Sequence, residues 1–120
     1  MQKTSDIIWQ DAQHQVLFEI LDLIKEPGAD AQVLKKLQEY TDNHFALEEQ
    51  YMLQLNYPKR ARHVQAHNRF RKEIATSLKE RDHDQQFMEL ISTFLTEWLK
   101  RHVLGVDKEL EEFILESTYK

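Results

Sequence analysis

The chain has 120 residues, a formal charge of −5 and 31% charged side chains, which fits one ordinary domain with a single core. It has no cysteine, which excludes a disulfide framework, a thiolate zinc site, an iron–sulfur cluster and a cysteine nucleophile. The acidic balance argues against a nucleic-acid partner, no apolar run is long enough to span a membrane, and the start MQKTSDIIWQ has no apolar leader core, so a cytoplasmic protein is expected.

Glycine and proline number two each, and this scarcity of breakers predicts a mostly helical chain. The first helix is expected over about 10–26, with an apolar stripe of Leu17, Leu21 and Ile24. KEPGAD (25–30) ends it, and Asp30 is placed to cap the next. The second, about 30–55, carries Leu34, Leu37, Met52 and Leu55. NYPKR (56–60) is a break with Pro58 placed to start a third helix, about 59–81, striped by Phe70, Ile74 and Leu78. RDHDQ (81–85) breaks the chain again, and Asp84 is a candidate cap for a fourth helix, about 84–104, with Met88, Ile91, Leu95 and Trp98. An apolar-patterned tail follows from Val106. Four amphipathic helices with short connections predict an all-α, antiparallel up-down-up-down four-helix bundle with a short C-terminal helical tail, one domain over 1–120.

Five of the six histidines fall on these stripes. His14 lies three residues before Leu17, and His44 seven after Leu37. His63 and His67 are one turn apart and lead into Phe70, and His102 is one turn beyond Trp98. His83, in the RDHD turn, is off the pattern. A single histidine on an apolar face is ordinarily a core residue holding a hydrogen bond. Five unpartnered imidazoles in one small core are expensive to bury, and a shared metal centre removes that cost. Glu48 lies on the His44 face and Asp107 just past His102 and Gly105. Taken alone, Glu48 reads as part of an exposed pair with Glu49, and Asp107 as a cap of the tail helix. Beside five inward histidines they read as bridges, because seven ligands exceed one octahedral ion and suit two.

His14, HFALE (44–48), HVQAH (63–67) and WLKRHVLGVD (98–107) resemble, in order and spacing, the motifs of the hemerythrins, in particular their single-domain bacterial members. The resemblance covers essentially the whole chain. It implies that His63, His67 and His102 ligate one iron, that His14 and His44 ligate the other, and that Glu48 and Asp107 bridge both beside an oxo or hydroxo bridge. The two-histidine iron then keeps an open position, where dioxygen is held reversibly as hydroperoxide. The family pattern also implies an apolar pocket over that iron, lined by Leu17, Phe45, Met52, Trp98, Leu99 and Val103.

The expected function is dioxygen storage or delivery; the alternative is an oxygen- or redox-sensing module using the same site. An enzyme is not expected, because no acid–base pair beyond the ligands is visible. Carboxylate-rich di-iron oxidases carry Glu-x-x-His on two helices, whereas here that spacing occurs once, as ERDH (80–83) in a turn. Dioxygen is the expected partner, with neither nucleic acid nor membrane. Two departures from the family stand out. Trp9 is only five residues before His14, on a short N-terminal arm, and Ala66 stands before His67 where many relatives carry an acidic residue. Glu49 reads as a solvated neighbour of Glu48.

Overall fold

The structure, a computed structural model, describes residues 3–118. It contains α1 (Ile8–Ile24), α2 (Ala31–Gln54), α3 (Arg60–Leu78), α4 (Gln85–Leu104) and α5 (Val106–Thr118). The first four pack as a ring, α1 on α2, α2 on α3, α3 on α4 and α4 back on α1, with α5 against α4. This is the expected four-helix bundle with a helical tail.

The buried positions explain the ring. They recur at Gln10, His14, Leu17, Leu21 and Ile24 in α1, and at Leu34, Leu37, Thr41, His44, Glu48 and Met52 in α2. In α3 they are His63, His67, Phe70, Ile74 and Ser77, and in α4 Met88, Ser92, Leu95, Leu99 and His102. Spacings of three and four keep one face of each helix turned inward. The histidines and Glu48 lie early in α1 and α3 and late in α2 and α4. Antiparallel alternation therefore gathers them at one end of the bundle.

Helix ends follow from local chemistry. The Asp30 carboxylate accepts the Gln32 amide at 2.9 Å, and Asp84 accepts the Phe87 amide at 2.8 Å, so both expected caps form. Gly28 sits at φ 87°, the left-handed turn that separates α1 from α2. Asn56 takes the same region at φ 55° and closes α2. Pro58 does not open α3. The Arg60 amide first closes a turn on the Tyr57 carbonyl at 3.2 Å, and the helix begins at Arg60, two residues beyond the proline.

Two apolar clusters enclose the polar end. The main one includes Leu17, Phe45, Phe70, Leu95, Leu99 and Val103. The second, made of Ile7, Met52, Tyr57, Leu110 and Ile114, closes the end of the bundle. Burying such side chains contributes roughly 1.5–3 kcal/mol each. It also keeps water from the polar groups between the two clusters.

Candidate metal centre

All seven expected ligands are brought together, and each is at most 4% exposed. One donor atom from each of Glu48, His63, His67, His102 and Asp107 lies within 4.8 Å of the others, and a second set is formed by His14, His44, Glu48 and Asp107. Glu48 and Asp107 belong to both sets, and their two oxygens face different ways. Glu48 Oε1 is 3.1 Å from His67 Nε2 and 3.7 Å from His63 Nε2, while Oε2 is 3.4 Å from His44 Nε2. Asp107 Oδ1 is 3.0 Å from His63 Nε2 and 3.1 Å from His102 Nε2, while Oδ2 is 3.0 Å from His14 Nε2.

These short distances are mostly not hydrogen bonds. Nε2 of His14, His44, His67 and His102, Glu48 Oε1 and Asp107 Oδ2 are all buried without a hydrogen-bond partner. An unsatisfied buried polar atom costs about 1–3 kcal/mol, and six around one point make no sense for a metal-free core. A metal accounts for them. With bonds of about 2.1 Å, neighbouring donors of an octahedral ion lie about 3 Å apart, the spacing seen here.

The outer edges of three imidazoles are fixed for this role. The Thr4 hydroxyl donates to Asp11 Oδ1 at 3.0 Å and therefore accepts from His14 Nδ1 at 2.8 Å. His44 Nδ1 donates to Gln13 Oε1 at 2.6 Å, and His67 Nδ1 donates to Glu49 Oε2 at 2.8 Å. In each ring Nδ1 holds the hydrogen, which leaves the Nε2 lone pair free to coordinate. Gln10 Nε2 donates to Glu48 Oε2 at 2.8 Å, and Gln10 is itself held by the Ser5 hydroxyl at 2.7 Å.

Electrostatics keep the carboxylates ionised. Burial opposes charge on Glu48, but the surrounding histidines outweigh it and hold the carboxyl well below its ordinary value. Burial and the neighbouring Glu48 likewise oppose charge on Asp107. His102 and His14 overcome both, and its carboxyl is also held far below the usual range. Burial lowers His14 and His63, yet the facing carboxylates of Asp107 and Glu48 outweigh it and raise both to about 9.

The residues expected to line a pocket divide. Leu17, Phe45, Leu99 and Val103 sit in the main apolar cluster, with Trp98 packed on it, whereas Met52 belongs to the end cluster. Phe45 stacks on His67, with ring centroids 3.7 Å apart and planes 6° off parallel. Trp98 stacks on His102 at 4.8 Å. Both aromatics therefore bear on the three-histidine set. Trp9, in contrast, lies beside His44 at 6.5 Å and stacks on Tyr51 at 5.1 Å. His83 stays apart, donating from Nε2 to the Ser77 carbonyl at 2.9 Å.

Glu49 corrects the sequence reading. It is half-buried, accepts from His67, and takes Arg71 through two guanidinium contacts at 2.9 and 3.2 Å. Thr4, Gln10 and Gln13 were also missed. Gln10 and His14 are one turn apart on one face, which is a signal; Thr4 gives none, since its role depends on the arm folding back.

The family profile described as "Hemerythrin HHE cation binding domain" matches residues 6–114. Among curated proteins, a bacteriohemerythrin of Clostridium acetobutylicum is 31% identical, the match covering 82% of this chain and 86% of that protein. A bacteriohemerythrin of Stenotrophomonas maltophilia is 27% identical over 85% and 77% of the two chains. A myohemerythrin of Riftia pachyptila is 31% identical over 81% and 76%. No solved structure matches the chain significantly. The family binds a di-iron centre, and the cluster of imidazoles and carboxylates is suited to hold one. With a family match across most of its length and this cluster at its core, the chain belongs to the hemerythrins.

Proposed function

We propose that this protein binds dioxygen reversibly at a di-iron centre, for storage or delivery within the cytoplasm, and that it is not an enzyme. His63, His67 and His102 would hold one iron and His14 and His44 the other, with Glu48 and Asp107 available to both. The observation that carries the reading is the asymmetry of the two donor sets. Both share the same two carboxylates, but one has three imidazoles and the other two. The second set is one protein donor short, which supports an open position for a small ligand.

When bound, the iron pair supplies the electrons that reversible dioxygen binding requires. The chain's own residues do the rest. Gln10 orients Glu48, while Thr4 and Gln13 fix the rings of His14 and His44. The apolar clusters on either side exclude water, which protects a bound reduced ligand from protonation and loss. Neutral imidazoles stabilise ferric iron less than carboxylates would, which supports binding over oxidative turnover.

The test is spectroscopic. The iron-loaded protein is reduced without air, exposed to dioxygen and then purged with argon. A charge-transfer band that appears and then fades supports reversible binding. One-way oxidation with continuing consumption of a reductant would make it an enzyme, and a partner protein that binds only one of the two forms would make it a sensor.

A further inference from the structure

The imidazoles of the two donor sets differ in what holds their outer edges. His14 and His44 turn Nδ1 to neutral acceptors, the Thr4 hydroxyl at 2.8 Å and the Gln13 amide oxygen at 2.6 Å. His67 turns Nδ1 to a carboxylate, Glu49 Oε2, at 2.8 Å. That anionic acceptor serves the three-histidine set.

The carboxylate does not stand alone. Arg71, one turn beyond His67 on α3, grips it with both arms of its guanidinium, Nη1 to Oε2 at 2.9 Å and Nη2 to Oε1 at 3.2 Å. Three further contacts hold the guanidinium in place. Nη1 also donates to Asn68 Oδ1 at 2.9 Å, Nε lies 3.5 Å from Asp42 Oδ1, and Cζ lies 5.2 Å from the centre of the Phe45 ring. Phe45 in turn stacks on His67. The Glu49 and Arg71 side chains are 25% and 26% exposed, so water screens their charges incompletely.

One imidazole thus meets a carboxylate at its edge, and the carboxylate meets a cation. The two charges act on the ring with opposite sign. An anionic acceptor draws the Nδ1 hydrogen outward and makes Nε2 a stronger donor, which favours ferric over ferrous iron. A guanidinium on the far side of that acceptor draws its negative charge away and weakens the effect.

We infer that Glu49 and Arg71 are positioning residues that set the donor strength of His67, and through it the balance between ferric and ferrous iron at the three-histidine site. The inference rests on the metal-centre reading above. Neither residue touches a reacting atom. Glu49 favours the oxidised form, and Arg71 restores the reduced form that takes up dioxygen.

The iron-loaded protein and its variants are titrated with dithionite in the presence of mediator dyes, and the midpoint potential is read from the absorption of the diferric centre. Glu49→Gln supplies a neutral acceptor of the same shape and is expected to raise the potential. Arg71→Gln leaves the carboxylate uncompensated and is expected to lower it. Each change should alter the ferric-to-ferrous ratio at a fixed potential by about tenfold. Arg71→Lys, which keeps the charge without the fork, should fall between the wild type and Arg71→Gln. Arg71→Gln should also shift the potential less when Glu49→Gln is already present. A second readout needs no redox change. In the zinc-loaded protein, the proton NMR signal of the His67 Nδ1 hydrogen is expected to move downfield in Arg71→Gln and upfield in Glu49→Gln.

Shifts in the same direction, or none, overturn the inference, because residues that merely hold the ring in place would loosen it alike. Iron content measured on the same samples separates this from the reading beneath it. Two irons per chain without opposed shifts sinks the inference alone. A wild type that takes up no iron sinks the metal centre, and the inference with it.

Discussion

At the scale of single residues, the outer hydrogen bonds decide how well each imidazole coordinates. Gln13 Oε1 is the acceptor for His44 Nδ1, at 2.6 Å. Gln13→Leu keeps the bulk and removes the acceptor, so affinity at the two-histidine half is expected to fall about 10- to 100-fold. Metal content after dialysis against a graded chelator series reads this directly, and an unchanged series would show that the contact does not matter. His44→Ala removes the ligand itself and should leave about one iron per chain. His83→Ala should leave two, because that ring bonds only the end of α3, through the Ser77 carbonyl. Glu49 belongs at this scale too. Its carboxylate is held below its ordinary value, burial being outweighed by His67 and Arg71, so it stays charged beside the ring it anchors.

At the scale of elements, the junction of α4 and α5 is the most exacting. One residue, Gly105, separates the helix that carries His102 from the helix that carries Asp107. A Cβ on Gly105 would stand 3.0 Å from the Arg101 carbonyl oxygen, a backbone atom that has little room to yield. Gly105→Ala is therefore expected to cost about 1–2 kcal/mol and to displace Asp107, lowering iron content as well as stability. Denaturant unfolding and metal analysis test the two parts separately. A loss of stability with full iron content would mean that α5 tolerates the shift. The N-terminal arm plays a matching part at α1. Its Thr4 amide and hydroxyl are both held by Asp11, which places the hydroxyl against His14.

At the scale of the whole molecule, a polar cluster buried between two apolar ones couples folding to metal and to protons. Removing the metal leaves the orphaned atoms uncompensated, so chelation is expected to lower the melting temperature by on the order of 10 °C. In the metal-free protein His14 and His63 are raised from 6.5 to about 9. Groups raised on folding contribute fully below pH 6.5, and that contribution is lost as pH rises through 9. The metal-free melting temperature should thus fall by about 5 °C between pH 6.5 and 9.5. The metal-loaded protein, whose imidazoles are neutral and coordinated, should not show this fall. A flat metal-free profile would contradict the coupling. The carboxylates run the other way. Glu48 and Asp107 are lowered on folding, so their contribution stands above the ordinary carboxyl range and is lost below it.

What the chain alone made legible was local. Leu17, Leu21 and Ile24 trace a helix because they recur on its own period, and His14, His44, Glu48, His63, His67 and His102 sit on the same stripes. Asp30 and Asp84 cap because capping needs only neighbours. Tertiary structure decided the rest, since a contact between helices depends on how rigid cylinders rotate and slide against one another, which no period records. It turned Glu48 Oε1 to one donor set and Oε2 to the other, and brought Gln13 to His44 across 31 residues of sequence. It also drew Glu49 out of solvent onto His67 and left His63 Nδ1 without a partner. The ligands were written in helical spacing; their division of labour, and the unfilled hydrogen bond beside them, exist only where the helices meet.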